Sequence, residues 1–130
     1  MLVDDHPLVL RELGILLDSA ADIEVVATAD SMASALSRLS GTTPDVVLMD
    51  IDLAGDDGLV VTQELLLRSP LLKVVMLSGW CTRALVEAAA RAGAVGYVVK
   101  GELSPDPCDA VRAAARGERP FSPLAQQLSS

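Results

Sequence analysis

The 130-residue chain reads as an α/β domain: five βα repeats building a doubly wound, five-stranded parallel sheet with helices on both faces. Three observations predict it. Short apolar or β-branched runs recur along the chain, and each is bounded by turn residues. Ala/Leu-rich stretches with helix-start and helix-stop signals separate them. The runs lack polar alternation, as expected of strands buried on both faces of a parallel sheet.

The first strand is Leu2-Val3, followed by Asp4-Asp5-His6. Pro7 opens a helix, since proline suits a first helical turn. Leu8, Leu10, Leu13, Leu16 and Leu17 give that helix an apolar face to about Ser19. Ile23 to Ala29 is the second strand. Asp30 or Ser31 caps a second helix whose Met32, Leu36 and Leu39 point inward. Gly41-Thr42-Thr43-Pro44 is a turn. Val46 to Met49 is wholly apolar and therefore the central strand. It ends at Asp50, which opens a loop rich in Asp and Gly to Gly58. Leu59 to Arg68 is the third helix, stopped by Ser69-Pro70. Val74 to Leu77 is the fourth strand, and Ser78-Gly79-Trp80 follows it. Arg83 to Ala92 is a helix with Gly93 as its stop. Gly96 to Val99 is the fifth strand and ends at Lys100. The last helix runs from Pro107 to Arg116, before Gly117. The tail from Glu118, with two prolines and several small polar residues, reads as a linker.

The net charge of −8 disfavours a direct nucleic-acid binder, which needs clustered Lys and Arg. It suits a site that collects cations. Trp80, Tyr97 and Phe121 are the whole aromatic complement, so the core is built from Leu, Val, Ala, Ile and Met. Two separate cysteines, Cys81 and Cys108, read as a reduced pair. No apolar run reaches the length of a membrane span, and no signal-type segment is present, so a cytoplasmic location is expected.

In an open α/β sheet, ligands bind outside the carboxyl ends of the strands. Asp4 and Asp5, Asp50, Ser78 and Lys100 all lie at such ends. Neighbouring carboxylates repel unless a cation sits between them. A hard cation such as Mg²⁺ takes oxygen ligands and retains waters, so two carboxylates and a backbone carbonyl leave room for three. An ammonium at Lys100 can pair with Asp50 and with a phosphoryl oxygen. His6, by contrast, reads as a cap or solvated side chain.

Taken together, Val3-Asp4-Asp5-His6-Pro7, the stretch from Asp45 to Gly58, Leu77-Ser78-Gly79 and Gly96-Tyr97-Val98-Val99-Lys100 resemble the receiver domain of bacterial two-component response regulators. The likeness is to the NarL/FixJ (LuxR-type) branch. It implies a flavodoxin-like receiver over residues 1–118, and residues 119–130 as a linker toward a helix-turn-helix DNA-binding domain that this sequence does not contain. It implies Asp50 as phosphoacceptor, and Mg²⁺ held by Asp4, Asp5, Asp50 and the backbone carbonyl of Asp52. Lys100 would contact the phosphoryl group. Ser78 would swing toward it, and Tyr97 would turn inward as the aromatic switch. The partners implied are a sensor histidine kinase, a second copy of the chain on phosphorylation, and DNA through the output domain alone. The changed face would be that of the fourth helix, fifth strand and fifth helix, with helices one and five as the alternative dimer face. The domain would be a switch rather than an enzyme, with self-catalysed phosphotransfer and autodephosphorylation only. Departures from the family pattern are Ala54 in place of proline, the extra acid Asp52 and the bulky Trp80, which would shield the phosphoryl group or anchor a partner; Gly101 follows the lysine as in NarL-like members.

Two rivals stand beside it. Asp50-Ile51-Asp52 resembles the DxD nucleophile motif of haloacid-dehalogenase-type phosphohydrolases, but on the third strand and without a cap domain. A phosphorylation-independent module would keep the fold alone, and the complete set of acids, hydroxyl and lysine weighs against it.

Overall fold

The computed structural model describes residues 1–53, 55–101 and 105–129. Ala54, one of the departures named above, lies outside them. The main sheet is parallel and has the order β2-β1-β3-β6-β7, where β1 is Leu2–Val3, β2 Thr28–Ala29, β3 Val46–Asp50, β6 Lys73–Ser78 and β7 Gly96–Val99. The order reverses beside β1 and β3, which is where a doubly wound sheet opens a crevice for a ligand. Side chains alternate across the sheet. Val47, Met49, Val74, Met76, Tyr97 and Val99 pack into one core with α2 (Met32–Gly41), α3 (Gly58–Arg68) and α4 (Arg83–Ala92). Leu2, Val46, Leu48, Val75, Leu77 and Val98 pack into the other, with α1 (Pro7–Asp18) and α5 (Pro107–Ala115).

The helices begin where local chemistry supplies the orphan first-turn amides with acceptors. Ser31 and Ser34 form a capping box at α2, Asp57 caps α3, Thr82 caps α4 and Asp106 caps α5. The N-cap of α1 is His6, whose side chain makes no capping bond.

Three elements differ from expectation. The second strand is paired only at Thr28–Ala29, because β1 offers only Leu2–Val3 to pair with; residues 23–27 are outside any strand. The Asp50–Gly58 loop contains an antiparallel hairpin of β4 (Asp52–Leu53) and β5 (Asp56–Asp57). Where a linker is expected, residues 120–122 lie along β7 and α6 (Pro123–Ser129) packs on α4 and β7. Tyr97 donates its amide to Pro120 at 3.0 Å and accepts from the Ser122 amide at 3.0 Å. The buried Ser122 hydroxyl accepts from the Val99 amide at 2.9 Å. Gly96 makes this approach possible, since a Cβ there would collide with the Pro120 carbonyl. The free edge of β7 is thereby covered, which removes an exposed row of strand amides.

Candidate functional site

Strand register assembles the site. Val3 pairs with Met49, so Asp4 and Asp50 leave adjacent strands side by side. Asp50 pairs with Leu77 and Ser78 with Val99, which brings Ser78 and Lys100 to the same rim. The Lys100 amide donates to the Ser78 carbonyl at 2.8 Å. Gly58 closes the loop beneath: its amide donates to the Ile51 carbonyl at 2.9 Å, and a Cβ there would collide with the Asp50 carbonyl oxygen.

The expected side chains converge. The Lys100 ammonium lies 3.5 Å from Asp50 Oδ1 and 3.6 Å from Asp4 Oδ2. Asp4 and Asp50 are 2% and 3% exposed, so two carboxylates are buried together against one amine. Burial raises the Asp50 pKa above the ordinary carboxylate range; the charge of Asp4 adds to this, and Lys100 opposes it. Asp5 is half-buried beside them. The Asp52 amide donates to Asp50 Oδ1 at 3.2 Å, placing the Asp52 backbone at the rim while its side chain faces solvent.

His6 is the residue that sequence reasoning set aside. Its Nδ1 lies 3.1 Å from both Asp4 Oδ1 and Asp5 Oδ1. The hydrogen bond to Asp4 and then the Asp5 charge raise its pKa, although the ring is largely exposed. Potential ligand atoms of Asp4, Asp5, His6 and Asp50 all lie within 4.8 Å of one another. Asp4 Oδ2 is buried and accepts no hydrogen bond among the described residues. A cluster rich in carboxylate oxygens, with one such atom buried and lacking a hydrogen bond among the described residues, fits a hard divalent cation.

Beside this cluster, the buried Ser78 hydroxyl accepts from the Trp80 amide at 3.0 Å. Tyr97 is fully buried, and its hydroxyl donates to the Trp80 carbonyl at 2.6 Å. Burial pushes its phenol pKa up. The turn after β6 is thus gripped from both sides, by Ser78 and by Tyr97. The Trp80 side chain itself is 70% exposed. Cys81 is partly buried and Cys108 buried, and the two are not bonded to each other.

Comparison with known proteins gives the same assignment. Residues 1–112 match the family model of the response regulator receiver domain. The chain is 36% identical over 130 residues to the response regulator GacA of Pseudomonas viridiflava, covering 99% of this chain and 61% of that protein. It is 34% identical over 123 residues to the response regulator protein VraR of Staphylococcus aureus, covering 95% and 59%. A crystal structure of a LuxR-family two-component response regulator from Aurantimonas superposes with a TM-score of 0.93 at 32% identity, over 99% of this chain and 93% of that one. The chain spans between 55% and 61% of the length of the first curated relatives it matches.

Proposed function

We propose a function from one premise: the chain belongs to the response regulator receiver domain family, and its relatives are transcriptional regulators. In this reading Asp50 accepts a phosphoryl group from the phosphohistidine of a sensor kinase. A carboxylate oxygen of Asp50 attacks phosphorus in line, the phosphorus–nitrogen bond breaks, and the imidazole leaves with the bonding electron pair. The observation that carries the reading is the placement of Asp4, Asp50 and Lys100 within 3.6 Å contacts at the carboxyl ends of three strands.

Phosphoryl transfer asks a protein mainly for position and charge neutralisation. Lys100 supplies a fixed positive charge to the transferring oxygens. Asp4, Asp5, Asp50 and the Asp52 carbonyl are the residues that would hold Mg²⁺, which when bound supplies further neutralisation of the phosphoryl charge. His6 is poised against the same carboxylates. Once Asp50 carries a dianion, Ser78, at the end of the neighbouring strand on the same rim, is the hydroxyl that would follow it. Ser78 and Tyr97 both bond to Trp80, so movement at one alters the other, and α4, β7 and α5 form the responding face. This is local charge biasing a two-state element. That face, or the α1–α5 face, would then pair with a second copy and control DNA binding by an output domain elsewhere in the protein. Residues 1–118 would be the receiver, and 119–130 the start of the path to that domain. Among the described residues no helix is long and apolar enough to cross a membrane, and a cytoplasmic site of action accords with the role.

The decisive experiment is labelling with acetyl phosphate and Mg²⁺. The wild-type chain is expected to form an acid-stable, base-labile acyl phosphate detected by mass spectrometry, and Asp50→Asn none. Labelling of Asp50→Asn at the wild-type level would refute the assignment. The phosphohydrolase alternative is not favoured by the family match.

A further inference from the structure

We propose that Asp56 is a positioning residue for the metal-binding set, tying the hairpin that carries Asp52 to the first amide of α2. This rests on the reading above and adds to it a residue outside the ligand set. The β4–β5 hairpin pairs only Asp52 with Asp57 and Leu53 with Asp56. Two strands of this length hold poorly on their own. One side is fixed by the buried side chains of Ile51 and Leu53 and by Asp57, whose carboxylate caps α3 through the Leu59 amide at 2.9 Å. The tie to a separate element is Asp56: its Oδ2 accepts from the Met32 amide at 2.9 Å, across 24 residues of sequence.

That amide is available for a reason. The first-turn amides of a helix have no intrahelical acceptor. At α2 the Ser31 hydroxyl serves the Ser34 amide at 3.1 Å, which leaves Met32 for Asp56. The Asp56 carboxylate also meets the positive end of the helix dipole. Asp56 faces Leu53 in the hairpin, one pair removed from Asp52 and Asp57. A shift at Asp56 therefore displaces the Asp52 backbone, whose amide already bonds Asp50 at 3.2 Å. The bond to α2 fixes where the Asp52 carbonyl stands relative to Asp4 and Asp50.

The test is a calorimetric Mg²⁺ titration of the full 130-residue chain, with a thermal melt of each variant. Asp56→Ala is expected to weaken Mg²⁺ binding about tenfold with little change in melting temperature, the lower end of the loss for a partner outside the ligand set. Asp56→Asn, whose amide oxygen still accepts from Met32, is expected to stay within about twofold of wild type. Met32→Pro approaches the same bond from the other side. Proline is tolerated at the first helical position, the extended Ser31 before it suits proline, and the substitution deletes the donor. It is expected to weaken binding like Asp56→Ala, and the double variant to bind no more weakly than Met32→Pro alone, since the hydrogen bond is shared; the lost packing of the Met32 side chain on the core should appear in the melting temperature of Met32→Pro. Wild-type affinity in Asp56→Ala would overturn the proposal. So would an Asp56→Asn as weak as Asp56→Ala, which would assign the effect to lost charge. Additive losses in the double variant would also sink it. If Asp56→Ala does not fold, Met32→Pro alone decides, and wild-type affinity there overturns the proposal. Wild-type protein that takes up no Mg²⁺ would bring down the functional reading, and this one with it. Normal wild-type uptake with an unaffected Asp56→Ala and Met32→Pro would remove this inference alone.

Discussion

The two ends of the sheet treat the same residue type in opposite ways. At the carboxyl end, Asp4, Asp5 and Asp50 share one ammonium and one imidazole, and burial together with Asp4 raises the Asp50 pKa. On the other side of the molecule, Asp22, in the turn after α1, faces the Arg112 guanidinium of α5 in a bidentate pair at 2.8 and 3.0 Å. The hydrogen bonds from Arg112 lower the Asp22 pKa, and the same arginine reaches Asp109 at 3.1 Å. One cluster holds excess negative charge away from water; the other meets its charge partner in solvent. The first arrangement costs stability and creates a place for a cation and a phosphoryl group. The second ties α5 to the α1–β2 turn and does little else.

The largest effect that would sharpen this contrast comes from Asp50→Asn. Beyond the loss of labelling, it should raise the melting temperature of the metal-free domain at neutral pH, because a buried like-charge contact disappears while the shape is kept. A melting temperature that falls instead would break the comparison. Lys100→Ala should act with the opposite sign. It removes the cation shared by Asp4 and Asp50, so the metal-free domain should be less stable. Phosphotransfer from acetyl phosphate should slow about 10²-fold, the scale for losing one electrostatic contact to the transferring group. Equal rates for Lys100→Ala and wild type at saturating Mg²⁺ would remove Lys100 from the site.

The same contrast marks what a single sequence discloses. Asp4, Asp5, Asp50, Ser78 and Lys100 were legible because each ends an apolar run, and a parallel sheet collects such ends on one rim. Four of the five strands of the main sheet were legible as apolar runs, and the helices from signals such as Ser31, the glycine at position 93 and the proline at position 7. What was not legible depends on partners distant in sequence. Thr28–Ala29 is the whole of β2 because of the shortness of β1, not because of its own residues. The β4–β5 hairpin hides in Asp and Gly, residues depleted in strands. The His6 ring was read from its neighbours in the helix rather than from the carboxylates it turns toward. The tail at 120–129 has a linker's composition, and only the space left by Gly96 and the buried Ser122 hydroxyl shows why it docks. Asp22 and Arg112 lie 90 residues apart, and nothing in their local sequence pairs them.

pH separates the two ends without any mutation. For Asp50, the folded pKa lies above the unfolded one, so the native state binds more protons in that window. Its contribution therefore becomes more favourable as pH falls from neutral toward the ordinary carboxylate range. For Asp22 the folded pKa is lowered, so its contribution is present above the ordinary carboxylate value and is lost as pH falls through the lowered one. Denaturant melts in a metal chelator should show wild type gaining on Asp50→Asn between neutral and mildly acidic pH, and a profile parallel to Asp50→Asn would contradict the buried-charge account.

The smallest effect is expected at the far side. Arg112→Ala should leave the rate of acetyl phosphate labelling unchanged, because neither Asp22 nor Asp109 touches the acceptor cluster. It should lower stability only slightly at neutral pH, since the pair is exposed and screened by salt. That difference should shrink at high ionic strength, and again below the lowered Asp22 pKa, where the carboxylate is protonated in both proteins. A labelling rate that changes with Arg112 would mean that the two ends of the sheet are coupled through α5, and the division between a charge-strained site and a charge-paired support would no longer hold.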